Sequence, residues 1–206
     1  MSVEVFSAAV DVSRETLDRL TAYEALLRKW NAAINLVSPQ TLSQVWTRHF
    51  LDSAQIFALG PETARHWADL GSGGGFPGLV IAVLAAEKRP DLAVTLVESD
   101  RRKSAFLMTA ARELGLSVAV KSDRIEALAP LQADILSARA LASLTDLLGF
   151  AERHLAPGGT CLFPKGARWR EELAPAQERW SFHLNPHPSE TESEAVILQI
   201  DGVKRV

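Results

Sequence analysis

The spacing of apolar positions changes near residue 60. Leu17, Leu20, Leu26, Leu27, Trp30 and Ile34 recur at three- and four-residue steps, so the pattern predicts a helix over 13–36 with Ser13 as its cap. Pro39 punctuates. Leu42, Val45, Trp46, Phe50, Leu51 and Ile56 then mark a second helical stretch, which Gly60-Pro61 ends. Residues 1–60 therefore read as a helical cap without a strand signal.

Beyond Gly60, short apolar runs alternate with helix-like stretches. The expected strands are 65–69, 93–98, 117–121, 134–138 and 160–164; the expected helices are 78–86, 101–114 and 142–155, with a short turn at 124–128. Such alternation with short connections predicts a parallel sheet covered on both faces. Residues 79–86 are apolar on every side, as suits a helix buried deeply against that sheet. The tail breaks the pattern. Two strand-like runs, 180–184 and 195–200, have Asn185-Pro186 and a polar stretch between them but no helix, which predicts an antiparallel pair closing one sheet edge. The expected fold is α/β and Rossmann-like, with 61–206 as the sheet domain and the cap joined to it in one compact unit.

Composition narrows the functional classes. With 47% hydrophobic and 23% charged residues in 206, the chain has ordinary globular composition rather than that of a disordered one. A net charge of −3 argues against a wholly basic nucleic-acid coat and still allows a local basic patch. The single cysteine, Cys161, excludes a disulfide framework and an all-cysteine metal site. No spacing among the histidines and Cys161 suggests zinc, so no metal is expected. The longest apolar run, Leu79 to Ala86, is far short of the ~20 residues of a membrane span. Met1-Ser2-Val3-Glu4 lacks the features of a signal peptide, so the expectation is a soluble cytoplasmic protein with no membrane partner.

The candidate chemistry begins where the first strand ends, at Asp69-Leu70-Gly71-Ser72-Gly73-Gly74-Gly75-Phe76-Pro77-Gly78. Glycines let the backbone turn sharply and let a ligand approach the main chain. The free N–H groups of the helix that follows favour a polar or anionic ligand. Glu98, closing the second strand, lies beside such a loop and can accept hydrogen bonds from ribose hydroxyls. A tight turn beside a surface acid is the plainer alternative, but five glycines in eight residues argue against it. Two cofactors fit. Gly73–Gly78 reads G-x-G-x-x-G with Glu98 some 20 residues on, which suits a dinucleotide. Asp69 through Gly71, Gly73 and Gly75 reads acid-x-G-x-G-x-G, which resembles the first motif of class I S-adenosylmethionine-dependent methyltransferases. There the acid helps to hold the amino-acid part of the cofactor. The antiparallel tail favours the second.

Further motifs extend the likeness: Lys29-Trp30-Asn31, Ile34-Asn35-Leu36, Arg48-His49-Phe50-Leu51-Asp52-Ser53, Phe76-Pro77-Gly78, Glu98-Ser99 with Lys103 and Phe106-Leu107, Arg124 with Glu126, Ser137-Ala138-Arg139-Ala140, Pro157-Gly158-Gly159 and Lys165-Gly166. In this order the chain resembles the bacterial small-subunit ribosomal RNA methyltransferase G family, also called glucose-inhibited division protein B. The likeness runs from about Tyr23 to Gly166 and is looser in the tail. It implies a mostly parallel seven-stranded sheet with an antiparallel C-terminal strand. It also implies methyl transfer from S-adenosylmethionine to N7 of one guanine in the decoding-centre region of 16S rRNA. The partner would be 16S rRNA or a small ribosomal subunit particle, met by a monomer. Cofactor contacts carried over are Gly71, Phe76, Ile125, Glu126 and Arg139; the loop itself adds Gly73, and Glu98 takes the ribose. Ile125 would wall the adenine, and Arg139 would hold the methionine carboxylate or an RNA phosphate. The competing readings are an NAD(P)-dependent oxidoreductase and a non-catalytic RNA- or nucleotide-binding regulator.

Phosphate contacts are expected from Arg48, Lys103, Arg124, Lys165 and Arg168. Trp169, between Arg168 and Arg170, is a candidate for stacking on a base, with packing against the tail as the alternative. His49 and Asp52 share a helix face, where a structural hydrogen bond is favoured over a catalytic dyad. Guanine N7 has a lone pair and no proton, so no general base is expected.

Overall fold

The computed structural model describes residues 3–206. The cap holds α1 (Val3–Ala9), α2 (Arg14–Asn31), α3 (Pro39–Leu42), a π-helical segment (Trp46–Leu51) and α4 (Asp52–Leu59). Next come β1 (His66–Leu70), α5 (Gly78–Lys88), β2 (Ala93–Val97), α6 (Arg101–Glu113), β3 (Val118–Lys121), a 3-10 turn (Ile125–Ala127), β4 (Ala133–Ala138), α7 (Leu144–His154) and β5 (Leu155–Lys165). A second 3-10 turn (Ala167–Glu172), α8 (Leu173–Gln177), β6 (Trp180–Pro188) and β7 (Val196–Arg205) complete the chain. The sheet has seven strands in the order β3-β2-β1-β4-β5-β7-β6. The first five strands pair in parallel, and β7 is antiparallel to both β5 and β6.

Strand side chains alternate between two cores, as a period of two requires. Trp67, Leu96, Ile135, Leu162 and Ile197 face α5, α6 and the cap. Ala68, Val97, Leu136, Cys161 and Leu198 face α7 and the tail. Phe6, Leu20, Tyr23, Phe50 and Ile56 of the cap belong to the same cluster as Val80 and Ile81 of α5. Residues 79–85 are all buried, which is why that helix shows no polar face.

Four differences from the expected elements have local causes. The helix over 13–36 stops at Asn31, whose Oδ1 accepts from the N–H groups of Leu36 and Val37 and turns the chain. Pro39 opens a short helix, with Ser38 as its cap, rather than merely separating two. The helix α1 carries only Phe6 as a buried anchor, too little periodicity to read. Asn185-Pro186 lies inside β6, because β6 is the sheet edge and a proline there forfeits no ladder bond that a partner needs.

Candidate functional site

Two cavities open side by side at the carboxyl ends of the parallel strands, where ligands of open α/β sheets bind. The first, about 1120 Å³, is lined by the glycine loop, the end of β2, the 3-10 turn after β3 and the start of α7. The second, about 690 Å³, lies between the cap, the ends of β4 and β5, and residues 191–195. Ala140 and Ala142 line both. Ala140 has φ +52°, a left-handed conformation that an L side chain adopts at a cost of about 1–2 kcal/mol.

The glycine loop is held from beneath. Asp69 is fully buried; its carboxylate accepts from the Gly78 N–H at 3.1 Å and from the Ser137 hydroxyl at 2.7 Å. Ser137 in turn accepts from the Trp67 indole N–H at 2.9 Å. Burial pushes the Asp69 carboxyl up to about 6 against the lowering effect of these hydrogen bonds. This acid braces the loop and does not line the first cavity, so it is not available to the cofactor's amino-acid part as its motif implied. Tyr23 of α2 gives its hydroxyl hydrogen to the Gly74 carbonyl at 2.5 Å. A side chain on Gly78 would strike Leu96 and the Asp69 carboxylate, so this glycine is fixed by packing. Gly73 differs: at φ +57° its missing Cβ would meet only the Gly71 carbonyl, at 3.8 Å. The space above it opens into the first cavity. Glu98 accepts from the Gly73 N–H and the Asp100 N–H, each at 2.8 Å, and thereby ties the loop to the end of β2.

Of the expected cofactor contacts, Gly71, Gly73, Glu98, Ile125 and Glu126 all line the first cavity. Ile125 is held by its carbonyl, which accepts from His154 Nε2 at 3.0 Å. Phe76 and Arg139 do not line it. The Phe76 ring is buried against Tyr23 (centroids 5.4 Å apart) and stacked on His49 (4.5 Å), so its part in the loop is packing. Arg139 lines the second cavity, its guanidinium 5.2 Å from the Phe76 ring centre. It donates to Asp52 at 3.2 Å, to His49 Nδ1 at 2.8 Å and to the Arg48 carbonyl at 3.1 Å. The π-helical segment and the first residue of α4 bring Arg48, His49 and Asp52 to that one guanidinium.

His49 and Asp52 thus form no isolated dyad; Arg139 bridges them. Burial, with Arg139 and Arg48 nearby, lowers the His49 imidazole to about 3 and keeps it neutral. Asp52 also accepts from Gln55 at 2.9 Å and from Thr191 at 2.8 Å, which ties the cap to the β6–β7 connection. Arg48 is paired with Glu192 across the same gap.

The five expected phosphate contacts are divided. Arg48 and Lys165 line the second cavity, whereas Lys103 and Arg124 line the first. Arg168 is exposed and lines neither. Trp169 is 6% exposed and packs in the core beside α7, so the packing alternative holds and stacking on a base does not. Sequence reasoning named Tyr23 and Ser137 without giving either a role, and missed Glu172. Glu172 accepts from Lys165 and from the Leu144 N–H, and no motif marks it. Among the described residues no group of three or more His, Cys, Asp or Glu is placed to hold a metal ion. No helix there is long and apolar enough to cross a membrane.

Comparison with known proteins bears on the family and the fold. A family described as rRNA small subunit methyltransferase G matches residues 16–196. A ribosomal RNA small subunit methyltransferase G from Ruegeria sp. (strain TM1040) is 57% identical over 197 residues, covering 96% of each chain. The same figures hold for its namesake from Ruegeria pomeroyi. Among solved structures, a TehB-like SAM-dependent methyltransferase from Corynebacterium glutamicum superposes with a TM-score of 0.59 at 16% identity. It covers 87% of this chain and 97% of its own, a likeness of fold alone.

Proposed function

The chain belongs to the rRNA small subunit methyltransferase G family, and from that premise we propose that its two cavities divide the work of one transfer. The protein is an S-adenosylmethionine-dependent methyltransferase of small-subunit ribosomal RNA. The first cavity takes the cofactor and the second takes the target guanine, whose N7 is the acceptor. One observation carries this division: the cavity lined by the glycine loop and Glu98 meets a second cavity, lined by Arg48, Arg139 and Lys165, at Ala140 and Ala142.

The residues of the first cavity fit the cofactor. Gly73 leaves open space over its backbone, Glu98 keeps carboxylate lone pairs for ribose hydroxyls, and Ile125 offers an apolar wall for adenine. When bound, S-adenosylmethionine supplies an electrophilic methyl on a sulfonium. Everything else is positioning. Guanine N7 has an in-plane lone pair and loses no proton, so the chain must align the base and exclude water rather than supply a base. The titratable groups agree with that. His49, lowered to about 3, is not a base that titrates near neutrality, and Asp69 is sealed under the loop. Arg139, braced by the cap, sets the wall against which the base comes to rest. The base must be unstacked or flipped to reach it. On this reading the protein works in the cytoplasm as a monomer.

The test pairs two measurements. Calorimetric titration with S-adenosylhomocysteine and NAD should show binding of the first alone. Mapping of 7-methylguanosine on small subunits incubated with protein and cofactor should show one new site. The single-turnover rate should stay flat between about pH 6.5 and 8.5, where a histidine base would titrate. A tenfold rise per pH unit there would exclude N7 as the acceptor.

A further inference from the structure

We infer that Lys165 and Glu172 together read the guanine edge that carries O6 and N1–H, an inference that rests on the target base entering the second cavity. The Lys165 ammonium, with its side chain 11% exposed, donates to the Ala142 carbonyl at 2.9 Å and to Glu172 Oε2 at 2.8 Å. An ammonium has three N–H groups, so one remains. Glu172 Oε2 also accepts from the Leu144 N–H at 2.6 Å, while Oε1 has no hydrogen-bond partner among the described residues. Both side chains line the cavity, and the Ala142 carbonyl to which Lys165 is bound belongs to the segment where the two cavities meet.

The pair therefore presents one free donor beside one free acceptor, fixed by three hydrogen bonds. Guanine has the matching order, O6 as acceptor next to N1–H as donor. Adenine reverses it, with a donor amine at position 6 and an acceptor at N1. O6 also neighbours N7 on the ring, so a base gripped at O6 near the junction leaves N7 directed toward the first cavity. A phosphate would fare badly here. It carries only acceptors and would confront the free Glu172 oxygen, so Lys165 is a base reader rather than the phosphate contact its charge implied.

The experiment measures single-turnover methylation of small-subunit RNA with guanine, inosine or 2-aminopurine at the target position. Inosine keeps O6 and N1–H; 2-aminopurine lacks both and keeps N7. The unaltered protein should methylate inosine within about tenfold of guanine and 2-aminopurine about 100-fold more slowly, as expected for lost charge-assisted hydrogen bonds. Lys165→Met and Glu172→Gln should each slow guanine at least tenfold, and neither should slow 2-aminopurine further, because the interaction is already gone. Lys165→Arg, which keeps a donor, should recover part of the guanine rate. S-adenosylhomocysteine affinity should hold in every variant, and the melting temperature should hold in Glu172→Gln, which keeps an oxygen for the Leu144 N–H. Losses that multiply, or equal weakening on every RNA with a salt slope reduced by about one, would identify a phosphate contact and overturn the inference. A wild-type protein that binds cofactor yet methylates no RNA would overturn the functional reading itself, and the inference with it.

Discussion

The two cavities are built by different means. The first is centred on one strand–loop–helix–strand unit whose bonds link neighbours, Gly73 to Glu98 and Gly78 to Asp69, while the turn after β3, α7 and the tail complete its walls. Where the glycine loop meets it, at Gly71 and Gly73, its surface is backbone. The second is assembled from parts distant in sequence. Arg139 holds Asp52 and His49 of the cap, and Arg48 meets Glu192 of the tail. Its cations Arg48, Arg139 and Lys165 are each matched with a carboxylate, so it presents both signs of charge rather than a basic trough. A cofactor common to many enzymes needs a compact, local cradle. A single base in a large RNA needs donors and acceptors brought from several directions.

Breaking the second cavity should have the largest effect. Arg139→Ala removes three hydrogen bonds at once and leaves Asp52 with an uncompensated charge. Methyl transfer should fall at least about 100-fold and stability by about 2–4 kcal/mol, while S-adenosylhomocysteine binding changes less than about threefold. Calorimetry beside single-turnover assays separates the two; equal losses in both would erase the distinction between the cavities. The converse is Gly73→Ala. Its Cβ meets no side chain of the protein, so the stability cost is about 1 kcal/mol from the left-handed backbone alone. Cofactor affinity should drop at least tenfold with RNA affinity untouched.

The two buried titratable groups sharpen the comparison through pH. Asp69, raised by burial from 3.8 to about 6, binds a proton more tightly when folded. Its contribution to stability is complete below about pH 4 and is lost as the pH rises through 6. His49 runs the other way: lowered from 6.5 to about 3, it contributes above pH 6.5 and loses that contribution as the pH falls toward 3. Urea unfolding of Asp69→Asn between pH 4 and 7 should show stability rising more steeply with pH than in the unaltered protein, by on the order of 3 kcal/mol across the range. His49→Gln should make it rise less steeply. Identical slopes in all three proteins would mean that neither group is buried as described. The smallest effect belongs to the junction: Ala140→Gly relieves the left-handed φ of +52° and should raise stability by up to about 1 kcal/mol.

The alternating strands, the apolar helix α5 and the cradle of the first cavity were legible in the chain because each rests on short-range pattern. A period-two run makes a strand. Glycines after it free the backbone, and an acid at the next strand end falls beside the loop through the right-handed crossover. Gly71, Gly73 and Glu98 line one cavity for that reason, and Ile125 and Glu126, which the family resemblance supplied, line it too. Phe76 and Arg139 went elsewhere because side-chain direction is set by packing, here against Tyr23, His49 and the cap, and not by position in a motif. The phosphate contacts were read from charge alone. Charge does not say which surface a cation reaches or which carboxylate meets it, and Lys103, Lys165 and Arg168 ended in three different settings. Asp69 looked like a ligand and became a brace because β1 and β4 lie side by side, which sets Ser137 against it. Sequence determined what is local, namely the elements, their order and the backbone freedom of the loop. Only tertiary structure decided which distant side chains meet, because a buried hydrogen bond or ion pair depends on where whole elements pack.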